Sequence, residues 1–322
     1  MNACTHTQQL VTRLAPTPSG FLHCGNILSF LICWLYARQQ RGRVLLRIED
    51  LDVPRCKPEF IQSTIHDLLE LGLTWDNEEI MYQSKRSGAY QEALEILQEQ
   101  HLIYPCFCSR ADLLAASAPH AGERNVYAGT CRNLSAEVRA ARAASEPHAL
   151  RCAVEPVDIQ VEDLFQGRYA QNLSAECGDF IVARKDGLFS YQMAVTVDDL
   201  AQGVNTVIRG IDLLSSAPQQ LYLRSKIAGC SLDEASEQIR FGHLPLIVNP
   251  DGRRLAKRAG DRGLATLLPE FGSVPHLLGW LSHAVGLIDF SEPITAEELV
   301  KEADLSCLKG EKSISISELR HR

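Results

Sequence analysis

Arg13-Leu14-Ala15-Pro16-Thr17-Pro18-Ser19-Gly20-Phe21-Leu22-His23-Cys24-Gly25-Asn26, followed by Val44-Leu45-Leu46-Arg47-Ile48-Glu49-Asp50, is the stretch that decides the fold. Residues 11–15 are short and β-compatible, Pro16 and Pro18 stop them, and Ser19-Gly20 permits a tight turn. His23 and Gly25 stand where a helix begins. Residues 27–37 are apolar except Ser29, and residues 38–43 end the run with charge and Gly42. Residues 44–48 read as a second buried strand. Strand, loop, helix, strand is a βαβ unit. Its loop carries a histidine and a glycine at a helix N-terminus, where backbone N–H groups and the dipole favour phosphate.

Outward from this unit, the chain has 322 residues with 45% apolar content, enough for one large or two ordinary domains. A net charge of −8 does not announce a nucleic-acid partner, so any such partner must meet a local basic patch. The 11 cysteines are irregularly spaced behind a short polar start, which argues for reduced thiols and against secretion. The longest apolar run, residues 27–37, is about half of what a membrane span needs. These features predict a soluble cytoplasmic protein, with no membrane partner.

Glu49, Asp50 and Asp52 close the second strand, and in an open α/β sheet such positions face the ligand crevice. Helices are predicted from Pro58 to Gly72 and around Tyr90, Ala93, Leu94 and Leu97, then a surface helix over residues 136–144. Residues 179–183, 189–197, 204–208 and 241–248 read as strands. Ser216-Ala217-Pro218-Gln219 reads as a capping box opening a helix to about Ala228. Helices over 275–285 and 295–303 follow, the latter with Thr295 and Glu298 as a capping box. The pattern is α/β: a sheet domain with its first half in residues 1–100 and its second in 176–245, an insertion over 101–175, and a last region over 246–322.

Two constellations carry chemistry. The basic run Arg253-Arg254-Leu255-Ala256-Lys257-Arg258 is either a solvated turn or a mobile phosphate-binding loop. Cys106, Cys108 and Cys131 offer thiolates to a tetrahedral zinc that needs a further ligand, with His120 available in the same loop; the alternative is reduced loop cysteines.

The stretch His23-Cys24-Gly25-Asn26 resembles the first signature, H-I-G-H, of class I aminoacyl-tRNA synthetases, and the residues before it resemble the glutamyl branch. The basic run resembles the second signature in its K-L-S-K form, with Arg254 for the first lysine, Ala256 for the serine, and Lys257 matching. Tyr191 to Asp199 resembles the family's Y-x-L-A-V-V-V-D-D, and Gln202 to Leu213 its Q-G-V…R-G-x-D-L. C-x-C followed by Y-x₃-C is similar to the zinc site of glutamyl-queuosine tRNA(Asp) synthetases, which implies Tyr127 as the fourth ligand beside Cys106, Cys108 and Cys131. The motifs span about four-fifths of the chain.

The resemblance implies a Rossmann-like class I catalytic core with an inserted zinc-binding subdomain and a small C-terminal helical region, in which His23 and Lys257 are catalytic. Arg13, Leu14, Ala15, Pro16, Thr17, Glu49, Tyr191 and Arg209 would bind L-glutamate, and His23, Gly25, Asn26 and Lys257 would bind ATP. One structural Zn²⁺, and Mg²⁺ with ATP, complete the expected cofactors. About sixty residues follow Lys257, which implies no anticodon-binding domain of the full glutamyl-tRNA synthetase type. The expected activity is tRNA-independent, ATP-dependent formation of glutamyl-adenylate. Transfer to queuosine in the anticodon of tRNA(Asp) follows, by a monomer. The alternatives are a minimal glutamyl-tRNA synthetase charging a 3′ end and an inactive RNA-binding or regulatory paralogue.

Overall fold

The computed structural model describes residues 9–109, 112, 126–248 and 263–315. The opening unit forms as its sequence dictates. Strand β1 (Val11–Leu14) leads through the proline loop into helix α1 (Cys24–Gln39), and β2 (Arg43–Ile48) returns parallel to β1, with Val11 opposite Arg43 and Leu14 opposite Leu46. Leu31, Leu35 and Ala37 of α1 are fully buried, which is why its sequence is apolar on nearly every face. Helix α2 (Pro58–Glu70) starts on the proline and ends before Gly72, whose φ of +78° suits glycine. A short strand β3 (Met81–Tyr82) extends the sheet beside β2, and α3 (Ser87–Glu99) covers it.

The chain then builds a second, antiparallel sheet from β4 (Ile103–Cys106), β5 (Ala149–Cys152) and β8 (Phe180–Ala183), with the exposed helix α4 (Ala136–Ser145) outside it. Between these, β6 (Asp158–Asp163) and β7 (Gly167–Asn172) form a hairpin, followed by the short α5 (Leu173–Glu176). The hairpin belongs to the larger sheet system: β6 lies parallel to β10 (Arg240–Leu244), which lies parallel to β9 (Thr206–Gly210). Asn205, just before β9, bonds both the N–H and the carbonyl of Val11, so β9 lies against β1. The strands therefore run 3-2-1 on one side and 9-10-6 on the other. Between β1 and β9 the winding reverses, and ligands of open α/β sheets bind at the carboxyl ends of strands at such a place.

Helices α6 (Tyr191–Ala201), α7 (Ala217–Ala228) and α8 (Leu232–Glu237) pack on one face with α3, through Leu94, Met193, Ala194, Leu221 and Tyr222. On the other face α1 meets α9 (Leu264–Phe271), α10 (Val274–Ala284) and α11 (Ala296–Glu302), through Leu277, Leu281 and Leu299. Two parallel strands, β11 (Leu246–Val248) and β12 (Ser313–Ser315), pair beside the end of β10.

Three expectations are corrected. Residues 189–197, read as a strand, are mostly the helix α6. Ser190 caps it by accepting from Met193 N–H, and residues 193–199 are buried all round, so no polar face revealed a helical period. Ser216 stands at the N-cap of α7 but makes no side-chain cap bond, so the expected capping box does not form. It continues a 3₁₀ turn into α7, and its hydroxyl accepts from Gln192 Nε2 instead. The strand read over 241–248 is broken at Pro245 into β10 and β11. Thr295 and Glu298 do form their capping box.

Candidate functional site

A cleft of about 480 Å³ opens at the reversal between β1 and β9. It is lined by Arg13, Ala15, Pro16 and Thr17 from the end of β1, His23, Gly25 and Asn26 from the start of α1, and Glu49 from the end of β2. Tyr191 enters from the first turn of α6 and Arg209 from β9. The structure thus brings together every described residue expected for glutamate and ATP except one. Leu14 is fully buried in the core, and its side chain does not reach the cleft. Lys257, with Arg253, Arg254, Ala256, Arg258 and Arg262, lies outside the described residues, as does His120.

Local chain geometry explains the placement. Glu49 N–H donates to the Pro16 carbonyl (2.9 Å), which ties the proline loop to the end of β2. His23 stands at the N-cap of α1, and its N–H donates to Asn26 Oδ1 at 3.4 Å. A Cβ on residue 25 would lie 3.2 Å from the His23 ring, so glycine there gives the imidazole room. The first turn of α1 lines the cleft through Gly25 and Asn26, and a helix N-terminus there favours an anion.

The charges are cross-braced. Asp199 Oδ1 accepts from both Arg13 Nε (3.3 Å) and Arg47 Nη1 (2.7 Å), and Arg47 Nη2 donates to Glu49 Oε1 (3.2 Å). All four side chains are buried, and Arg47 completely so. Burial raises the pKa of Glu49, with Arg47 and Arg13 only partly offsetting it. Burial acts the same way on Asp199, but Arg47 and Arg13 outweigh it and the carboxyl ends below its usual value. Burial also lifts the Tyr191 phenol, which stays a neutral O–H. Arg209 Nη1 donates to Gln220 Oε1 (2.8 Å) and, at 3.5 Å, meets Tyr191. The guanidiniums of Arg13 and Arg209 and the carboxylate of Glu49 so face a single cleft, with Asp212 also in its lining, an arrangement that suits an amino acid with an acidic side chain.

A second cluster sits at the end of the small sheet. Cys106, Cys108 and Cys131 place their sulfurs within 4.8 Å of one another. Cys106 Sγ is 3.6 Å from the Tyr127 hydroxyl, and the Cys108 and Cys131 sulfurs are 3.5 Å apart. Ligands on a tetrahedral zinc stand about 3.8 Å apart, so the donor set fits such an ion. Burial works against the Cys106 thiolate, but Arg151 (Nε to Sγ 3.2 Å) and Tyr127 prevail and lower its pKa. Burial and the neighbouring Cys131 push Cys108 up to about 11.

Sequence reasoning missed several cleft residues: Ser29, Phe30, Cys33, Asp212, Leu213 and the Pro245-Leu246-Ile247 segment. It also missed the groups behind the cleft (Arg47, Asp163, Asp199, Gln220 and His243). Their only signal is polarity at positions that the burial pattern would fill with apolar residues. Among the described residues, no helix is long and apolar enough to cross a membrane.

Comparison with known proteins identifies the family and the fold. The family model of tRNA synthetases class I (E and Q), catalytic domain, matches residues 9–278. A glutamyl-Q tRNA(Asp) synthetase of Symbiobacterium thermophilum is 43% identical over 313 residues, 94% of each chain. One from Nocardia farcinica is 41% identical over 301 residues, covering 93% of this chain and 91% of its own. Among solved structures, a glutamate tRNA ligase from Elizabethkingia meningosepticum in complex with its amino acid aligns with a TM-score of 0.77 at 23% identity. It covers 96% of this chain and 68% of its own, a likeness of fold.

Proposed function

Since the chain belongs to the class I glutamyl and glutaminyl tRNA synthetase family, and within it to the glutamyl-Q tRNA(Asp) synthetases, we propose that it forms glutamyl-adenylate from L-glutamate and ATP and transfers the glutamyl group to queuosine in the anticodon of tRNA(Asp). Membership makes it an ATP-dependent ligase that activates glutamate for a tRNA-related reaction. The observation that carries the finer reading is the 43% identity, over 94% of each chain, with a relative of that name.

The cleft lining supports the following roles. Glu49 accepts the substrate ammonium, while Arg13 and Arg209 take its carboxylates and Tyr191 donates its hydroxyl. Ala15, Pro16 and Thr17 shape the wall beside them. A carboxylate oxygen of glutamate attacks the α-phosphorus of ATP, and the bond to pyrophosphate breaks. Charge gathers on the phosphoryl oxygens, so catalysis is positioning plus electrostatic stabilisation. His23 and the α1 N-terminus, with Gly25 and Asn26, face that charge, and Lys257 supplies a further cation. Mg²⁺ would accompany the phosphates. Cys106, Cys108, Cys131 and Tyr127 would hold one zinc, which supplies structural cross-linking to the small sheet.

The test is glutamylation of tRNA(Asp) prepared with and without queuosine. Labelled glutamate on the modified tRNA alone is expected. Label on tRNA(Glu) regardless of queuosine would make the protein a minimal glutamyl-tRNA synthetase and overturn the reading.

A further inference from the structure

Three neighbouring parallel strands, in the order β6-β10-β9, carry Asp163 as the last residue of β6 and His243 and Arg209 as the last but one of β10 and β9. His243 is the register partner of Arg209, so the strand pairing itself sets the two side by side. Asp163 Oδ2 lies 2.6 Å from His243 Nδ1, and Arg209 Nε lies 3.0 Å from His243 Nε2. The histidine is fully buried, and the Asp163 side chain is too.

We infer that Asp163 and His243 are positioning residues that fix the Arg209 guanidinium for the substrate carboxylate, with His243 held as the neutral tautomer protonated on Nδ1. This rests on the proposed glutamate pocket. The reasoning is one of donors and acceptors. Arginine Nε always carries a hydrogen, so the nitrogen facing it must be bare. With Nε2 bare, the neutral ring keeps its proton on Nδ1, where Asp163 Oδ2 accepts it. Asp163 cannot swing away, because its Oδ1 accepts the backbone N–H groups of Phe165 (3.0 Å), Gln166 (2.9 Å) and His243 (3.0 Å).

The rest of Arg209 is held as firmly. Nη1 donates to Gln220 Oε1, Nη2 donates to the Leu213 carbonyl at 3.2 Å, and the guanidinium lies 5.4 Å from the Phe241 ring centre. Among the described residues, that leaves an Nη2 hydrogen, and the long 3.5 Å contact from Nη1 to Tyr191, to meet a ligand on the cleft side. A guanidinium fixed in this way pairs with a planar carboxylate and mismatches the amide of glutamine, whose NH₂ would confront an N–H. The competing partner for a proton on Nε2 is the Leu213 carbonyl, which also faces the ring. Burial and the Arg209 charge depress the basicity of the imidazole, in keeping with a neutral ring.

The first test reads the tautomer directly, by ¹⁵N NMR of histidine-labelled protein with H243N to assign the signal. A protonated Nδ1 and a bare Nε2 are expected; a proton on Nε2 overturns the inference without reference to activity. The second uses ATP–pyrophosphate exchange. If the unaltered protein gives no exchange with glutamate, the proposed function fails, while the tautomer result still judges this inference. With exchange in hand, D163N is the sharp variant. Its Oδ1 keeps the backbone bonds, but its NH₂ faces Nδ1 and turns the ring proton onto Nε2, against Arg209. The expected result is a rise in KM for glutamate of roughly tenfold or more, with KM for ATP unmoved, kcat little changed and preference over glutamine reduced. H243Q, which keeps an acceptor for Arg209 Nε, should restore most of what H243L loses. D163N and H243L that leave KM for glutamate within about twofold would overturn it. Should either variant fail to fold, the tautomer still decides.

Discussion

At Arg47 the cost and purpose of a buried charge can be separated. Its guanidinium is fully buried between Asp199 and Glu49, and both of these residues are buried as well. Replacing it leaves two buried carboxylates short of a partner, so Arg47→Met should lower stability by about 3–5 kcal/mol, measured by denaturant unfolding. A loss within experimental error would mean that Arg13 alone satisfies Asp199. Glu49 gives the functional counterpart. Burial raises its pKa, and it must be ionised to hold an ammonium. As pH falls through that raised value the carboxylate takes a proton and the attraction disappears. KM for glutamate should therefore climb on the acid side, beginning above the ordinary glutamate range near about 4.3. In Glu49→Gln the acid-side rise should vanish and KM should be high throughout. The opposite pH trend in KM would refute this role for Glu49. Such residues were half legible. Glu49 stood out at a strand end, but Arg47, two residues earlier, passed unremarked within residues 44–48, because its partner Asp199 is 152 residues away.

Elements show the same division between local and distant information. β1, α1 and β2 were readable because proline, glycine and a continuous apolar run mark every boundary within a few residues. Helix α6 was not, since a helix buried on all sides has no polar stripe to betray its period. The small sheet lies between these cases. Its cysteines announce themselves, yet β4 and β8 meet β5 only through tertiary pairing, which spacing does not encode. This sheet is also where metal loss should be felt. It is short, its core is a satellite cluster around Tyr104, Phe107 and Ala153, and the sulfurs of Cys106 and Cys131 are part of it. A bound zinc at about a thousand times its Kd would add roughly 4 kcal/mol to stability. A strong chelator should release about one zinc per chain and lower Tm by several degrees, and Cys131→Ser should bind less metal and show little further shift. A chelated protein with unchanged Tm and no zinc in the filtrate would dismiss the site.

Across the whole molecule, the fold was legible and the recognition of RNA was not. The 3-2-1 and 9-10-6 arrangement follows from alternating strands and helices, and the cleft sits where that topology puts it. RNA binding has no such topological mark, and the overall charge of −8 argues the other way. A polyanion approaching this protein must therefore find its attraction locally, and Arg253, Arg254, Arg258 and Arg262 are the densest basic stretch of the sequence. If these four arginines each neutralise a phosphate, counterion release sets the slope of log K against log salt at roughly −2.8 to −3.6. Between about 50 and 200 mM salt, the Kd for tRNA should then rise roughly 50- to 150-fold. Glutamate activation should behave differently over the same range, because its ion pairs form in a buried cleft that mobile ions screen poorly. The two responses, measured on one preparation by filter binding and by ATP–pyrophosphate exchange, separate the surface from the pocket. Replacing Arg258 and Arg262 by glutamine should flatten the tRNA slope by about two units while leaving exchange intact. A flat salt response of the unaltered protein would show that phosphate contacts contribute little, and that the RNA is recognised by contacts other than this basic stretch.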